Sequence, residues 1–165
     1  MKLDRLWAPW RMEYVRAPKA GAGCIFCDKQ AAGDDAENLV VHRGDKAFVI
    51  MNLYPYNNGH LLVAPYEHLA ELDDLAPDVR LELLDLSARA MKVLRREMQA
   101  GGFNFGANLG AAAGAGIKEH IHLHVVPRWV GDTNFMPVLG ATKVQVQSLR
   151  DTRDLLARSF SEEKG

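Results

Sequence analysis

Only two cysteines, Cys24 and Cys27, occur among the 165 residues. No apolar run approaches the roughly 20 residues that a membrane span requires. The opening Met1-Lys2-Leu3-Asp4-Arg5-Leu6-Trp7-Ala8-Pro9-Trp10 lacks an apolar core of signal-peptide length, so a cytoplasmic location is expected. In that reducing compartment a Cys-x-x-Cys pair is read first as a metal clamp or a redox pair, not a structural disulfide. An excess of charge of one sign is also missing. Lys and Arg total 20 against 21 Asp and Glu, for a net charge of -1. Without a basic excess there is no footprint for nonspecific nucleic-acid binding, and phosphate recognition must be local. The chain also lacks internal repeats and low-complexity tracts.

The 48% hydrophobic and 25% charged residues suit one domain with a sizeable core. Residues 1–23 read as an irregular N-terminal arm in which Trp7, Trp10 and Tyr14 offer aromatic surface to the body or to a second subunit. Residues 24–128 read as the core, and 129–165 as a strand and helix tail. Two short segments bounded by turn formers, Lys46 to Met51 and His60 to Ala64, predict a hairpin with the long loop Asn52 to Gly59. Pro77 to Ala100 predicts a long helix, with Pro77 in its first turn. Leu84, Ala88, Met91, Leu94 and Met98 form its apolar stripe, and Gly101-Gly102 end it. Phe103 to Ala107 and His120 to Val126 predict strands, the second stopped by Pro127, and Val144 to Gln147 a late strand. Ser148-Leu149-Arg150-Asp151 resembles a capping box opening a last helix toward Phe160. His42, beside Arg43-Gly44-Asp45, reads as a solvated turn residue. The fold class is α+β.

His120, His122 and His124 alternate with Ile121, Leu123 and Val125, so on a strand the three imidazoles share one face. Neighbouring histidines then sit roughly 6.6 Å apart and the outer two roughly 13 Å apart. One metal cannot take all three. The spacing instead sets a central imidazole between two flanking ones. A neutral imidazole is a competent nucleophile toward phosphorus, and a backbone carbonyl on its other nitrogen fixes the tautomer. Just upstream, Gly110-Ala111-Ala112-Ala113-Gly114-Ala115-Gly116 has no bulky side chain. Its backbone N–H groups can converge on a phosphate. The cysteine pair needs two further ligands for a closed tetrahedral zinc site, and six histidines are available. A free dithiol and a redox pair are the alternatives.

His120-Ile121-His122-Leu123-His124-Val125-Val126 resembles the signature of the histidine triad family. The segment from Asn52 to Pro65, ending Gly59-His60-Leu61-Leu62-Val63-Ala64-Pro65, is also similar to that family, and the likeness extends over roughly Cys24 to Arg128. The resemblance implies a homodimer whose antiparallel sheets join across the subunit interface. It implies nucleotide binding and cleavage at the α-phosphate through a nucleotidyl-histidine intermediate. By it His122 is the nucleophile, His124 binds and polarises phosphate, and His60 is a further active-site histidine. Asn52 matches a ribose contact and Asn108 a glutamine before the glycine loop. Ile50, Gly114, Ala115 and Gly116 complete the substrate contacts.

The fragile-histidine branch carries glutamine and then threonine or serine where Ala115 and Gly116 stand. Trp7-Ala8-Pro9-Trp10-Arg11, Pro127-Arg128-Trp129 and Gly131-Asp132-Thr133-Asn134-Phe135 resemble instead the bacterial branch acting on diadenosine tetraphosphate. Some of its members use inorganic phosphate as second acceptor in place of water, and a loop bare of side chains leaves room for that anion. Zinc-bearing relatives pair Cys-x-x-Cys with a Pro-x-x-His histidine and the first triad histidine. The resemblance therefore implies structural zinc on Cys24, Cys27, His68 and His120, with no catalytic cofactor. Competing readings are a nucleotide-binding sensor with negligible turnover, an adenosine phosphoramidate hydrolase, and a catalytic metal on His60, His122 and His124.

Overall fold

The computed structural model describes residues 23–133, 136–139 and 144–163. Trp7, Trp10 and Tyr14, assigned to the arm, and Asn134 and Phe135 lie outside the described residues. Five strands form one antiparallel sheet: β1 (Val40–Arg43), β2 (Ala47–Met51), β3 (Leu61–Pro65), β4 (Gly102–Gly106) and β5 (Leu123–Arg128), in the order β1-β2-β3-β5-β4. Among the described residues three helices accompany it: α1 (Ile25–Ala31), α2 (Pro77–Met98) and α3 (Leu149–Glu162), with a single helical turn at Met136–Leu139.

The hairpin forms as expected, pairing Ala47 with Pro65 through to Met51 with Leu61. Every residue of β2 and β3 is buried, which is why these strands read as continuous apolar runs and do not alternate. α2 packs on β2, β3 and β5, and α3 packs on β1 and α2. Ser148 caps α3: its hydroxyl accepts from the Asp151 N–H at 3.1 Å and donates to the Asp151 carboxylate at 2.7 Å.

Several expectations are corrected. The buried stripe of α2 is Val79, Leu83, Leu86, Ser87, Ala90, Val93 and Leu94. Leu84 is 52% exposed, Ala88 is exposed, and Met91 and Met98 are half-buried. Leucines stand on two adjacent ridges of this helix, and the sheet takes the ridge that also carries Val79 and Val93. Gln99, in the left-handed region at φ 52°, caps the helix in place of either glycine. Val144 to Gln147 is not a strand. Val144 and Val146 are 52% and 84% exposed, so the alternation finds no sheet to bury it.

The last strand starts at Leu123, not His120, and continues through Pro127. The Pro127 carbonyl accepts from Asn57 at 3.1 Å, whereas the neighbouring Arg128 carbonyl accepts from Gly101 beside β4. The missing N–H of Pro127 therefore faces away from β4, where pairing with β3 has already ended at Val125. His42 is not a turn residue. It lies in β1, half-buried, with its ring stacked on Phe160 at 5.2 Å.

Candidate functional site

Strand register gathers the histidines. Leu62 of β3 and Gly106 of β4 both stand opposite His124, so His60, His122 and His124 face the same side of the sheet. His60 follows Gly59, which ends the long loop at φ 78°. That left-handed backbone favours glycine, and a side chain there would also displace the flexible end of Met98, whose Sδ would lie 2.7 Å away. His60 is fully buried and His122 is 8% exposed.

Backbone groups settle which nitrogen each ring offers. The Tyr56 N–H donates to His60 Nδ1 at 3.0 Å, and the Asn52 side-chain amide lies 3.2 Å from the same nitrogen. His60 Nδ1 is therefore an acceptor, and its proton sits on Nε2. That Nε2 lies 3.0 Å from His124 Nδ1, so His60 donates and His124 carries its own proton on Nε2. His122 Nδ1 lies 2.9 Å from the His120 carbonyl. A carbonyl only accepts, so Nδ1 holds the proton and Nε2 keeps its lone pair. Burial holds His122 below the ordinary imidazole range, only partly offset by the hydrogen bond to His120. The His122 and His124 rings stand 5.1 Å apart between centroids. A neutral imidazole with its lone pair on Nε2 thus sits beside an N–H donor.

His120 offers its opposite nitrogen. Its Nε2 donates to the Pro65 carbonyl at 3.0 Å, leaving Nδ1 directed at the thiols. Cys24 Sγ and Cys27 Sγ lie 3.3 and 3.6 Å from it, and Cys27 Sγ is 3.3 Å from His68 Nδ1. The donor atoms of Cys24, Cys27, His68 and His120 all lie within 4.8 Å of one another. Tetrahedral zinc with bonds of about 2.0–2.3 Å has ligand–ligand edges of roughly 3.5 Å, so the set fits that ion. The sequence expectation of these four residues matches the metal-binding group. The seven-residue helix α1 that presents the thiols was not foreseen. Its N-cap, Cys24, makes no side-chain capping bond, so it carries no helix-start signal.

Other expected residues fall less simply. Asn52, read as a ribose contact, spends its amide on His60 and accepts the Tyr54 N–H at 3.0 Å. Ile50, read as a substrate contact, is 2% exposed within the core. The small-residue loop leaves β4 at Gly106, opposite His124, which places it and half-buried Asn108 beside the histidines. The Gly114 and Ala115 N–H groups donate within the loop, to the Ala111 and Gly110 carbonyls at 3.0 and 3.3 Å. Two of the donors expected for an anion are thus turned inward. Sequence reading missed Tyr56, whose ring stacks on His124 at 5.8 Å, and Phe26, 4.8 Å from the His122 ring. Each is an aromatic inside a motif read for its other residues.

One α+β sheet thus gathers His60, His122 and His124 on one side, beside a Cys2His2 group. The family model of the HIT domain matches residues 34–130. The AP-4-A phosphorylase of Mycobacterium tuberculosis strain H37Rv is 44% identical over 168 residues, covering 97% of this chain and 86% of that protein. A Zn-bound histidine triad family protein from Mycobacterium smegmatis superposes with TM-score 0.68 at 25% identity, over 85% of this chain and 94% of that one. A hypothetical histidine triad nucleotide-binding protein from Sulfolobus tokodaii strain 7 shares the fold, with TM-score 0.66 at 23% identity over 84% of this chain and 93% of that one. The chain belongs to the histidine triad (HIT) family and is an enzyme of its hydrolase and transferase class. Among the described residues, no helix is long and apolar enough to cross a membrane.

Proposed function

We propose that the chain cleaves dinucleoside polyphosphates of the diadenosine tetraphosphate type at the α-phosphate, through a nucleotidyl intermediate on His122. The observation that carries this reading is the tautomer pair. His122 presents a bare Nε2 lone pair beside His124, whose proton is placed on Nε2 by the relay from Tyr56 and His60. The Nε2 of His122 attacks the α-phosphorus, forming a P–N bond as the P–O bond to the departing nucleotide breaks. The His124 N–H stabilises the charge that builds on phosphate oxygens. An acceptor oxygen then attacks the same phosphorus and breaks the P–N bond, restoring His122.

The second acceptor is inorganic phosphate. Supporting this are the AP-4-A phosphorylase relative and the absence of a functional side-chain group at Ala115 and Gly116. To use the Ala115 N–H, the anion must displace its 3.3 Å bond to the Gly110 carbonyl, which is longer than the 3.0 Å bond from Gly114 to Ala111. Bound zinc would cross-link α1 to the approach of β5, with all four positions filled and none left for substrate. A homodimer through β4 is part of the reading. That strand is the sheet's edge, an unpaired template. Its Phe105 is 45% exposed, and Phe103 packs under Arg95 on the α2 ridge that also carries exposed Leu84.

Product analysis with diadenosine tetraphosphate tests the function. ADP plus ATP in the presence of phosphate is the expected outcome. AMP plus ATP regardless of phosphate would make the enzyme a hydrolase, and no products at all would leave it a nucleotide-binding protein.

A further inference from the structure

The Cys2His2 group and the nucleophile are joined at two points. The first is His120 itself, whose ring faces the thiols while its carbonyl holds His122 Nδ1. The second is Phe26, which lies on α1 between the two cysteines. Its ring is 2% exposed. It packs 5.0 Å from the His120 ring and 4.8 Å from the His122 ring, tilted 43° and 38° to them. Phe48 of β2 meets it edge-on at 6.4 Å. A Cys-x-x-Cys helix needs its two thiols on one side. Nothing in metal binding requires the residue between them to reach the nucleophile.

We infer that Phe26 is a positioning residue for His122, and that it transmits closure of the Cys24–Cys27–His68–His120 group to the nucleophile. This rests on the reading of His122 as the nucleophile. Two contacts fix the His122 ring. The carbonyl bond sets its tautomer but leaves the ring free to tilt about that bond. Phe26 closes off the tilt from one side, because a packed ring at van der Waals distance permits no swing toward it. α1 is only seven residues long, too short to be stable alone, so its place on the sheet depends on what anchors it. When the four ligands close on a metal, α1 is pinned and Phe26 is pressed against both imidazoles. When they open, the ring contact loosens and His122 samples orientations from which Nε2 misses phosphorus.

The test uses the full chain with its metal in place and the variant Phe26→Leu, which removes the ring and keeps most of the apolar volume. Three quantities are read: metal per chain by elemental analysis, the order and surroundings of the His122 ring by nitrogen-15 spectra of the imidazoles, and kcat with KM for diadenosine tetraphosphate. Phe26→Leu should retain the metal and shift and broaden the His122 imidazole resonances, while the tautomer set by the His120 carbonyl persists. It should also lower kcat by about tenfold to a hundredfold while KM changes by less than about threefold. Chelation of the wild-type chain should shift the His122 spectrum in the same direction, and chelation of Phe26→Leu should add little, since both act through one contact.

An unchanged His122 spectrum and unchanged kcat in Phe26→Leu overturn the inference. So does a loss of kcat that merely tracks lost metal, or a chelation shift that adds in full to that of the variant. Should Phe26→Leu fail to fold, Phe26→Met gives the same readings with the ring absent. A disturbed His122 spectrum in a protein whose wild type shows no turnover would uphold the positioning role and sink the proposed activity instead.

Discussion

His120 and His122 stand two residues apart on the same approach to β5, yet they present opposite nitrogens. His120 spends Nε2 on the Pro65 carbonyl and turns Nδ1 to the thiols. His122 spends Nδ1 on the His120 carbonyl and keeps Nε2 for the open side. Both rings are buried and both are held below the ordinary imidazole range chiefly by that burial. Residue type and burial do not separate them. The backbone carbonyl each one meets does, and it divides one strand approach into an end facing the thiols and an end that the proposed function assigns to phosphate.

The largest effect expected of this division is at the phosphate end. His122→Gly should abolish turnover by several orders of magnitude while nucleotide binding and metal content persist, measured by single-turnover assay, equilibrium binding and elemental analysis. Metal lost together with activity would mean that the two ends are not separable. At the metal end, Cys24→Ser should lose the ion and melt about 10 °C lower or more, because a closed site contributes folding free energy. Calorimetry that finds the variant unchanged would remove the structural role.

A smaller effect concerns pH. Burial penalises the charged form of His122, so its folded value lies below the unfolded 6.5. The unfolded chain then takes up the proton first on acidification. This burial term in stability is complete above 6.5 and declines as pH falls toward the folded value. Catalysis follows the same sign: the acid limb of kcat/KM should lie below 6.5. A limb above that value would place a different group in control. The smallest effect lies in the loop. Ala115→Gln should cut the acceleration by added phosphate by less than about tenfold, and more than it weakens nucleotide binding. Equal losses in both would show that the side chain disturbs the nucleotide, not the second acceptor.

The site was more legible than its frame. Alternating histidines and a Cys-x-x-Cys pair follow from local spacing, the family resemblance adds His68 and His120 to that pair, and the fold brings these four residues within 4.8 Å of one another. What escaped sequence reading depended on tertiary choice. α1 has no capping signal. β1 is four residues long and bulged opposite β2, too short for periodicity to register. The α2 stripe was right at Leu94 and partly so at Met91 and Met98, which pack at the edge of the core, but Leu84 and Ala88 are exposed because leucines occupy two ridges. The assignment of Asn52 to ribose could not anticipate His60, whose Nδ1 lies within 3.2 Å of its amide.

Cys24 meets His120 across 96 residues of chain. In folding terms this contact is a clasp between the first described helix and the strand that completes the middle of the sheet. β5 lies between β3 and β4, so both of its neighbours must be in place before its approach can settle. The entropy of closing so long a loop grows only with the logarithm of its length, but the contact itself is nonlocal and must wait for the strands that frame it. Four-ligand capture of a metal would therefore be open only to chains whose interior strand β5 has docked. A bound ion would then mark a molecule that has finished folding.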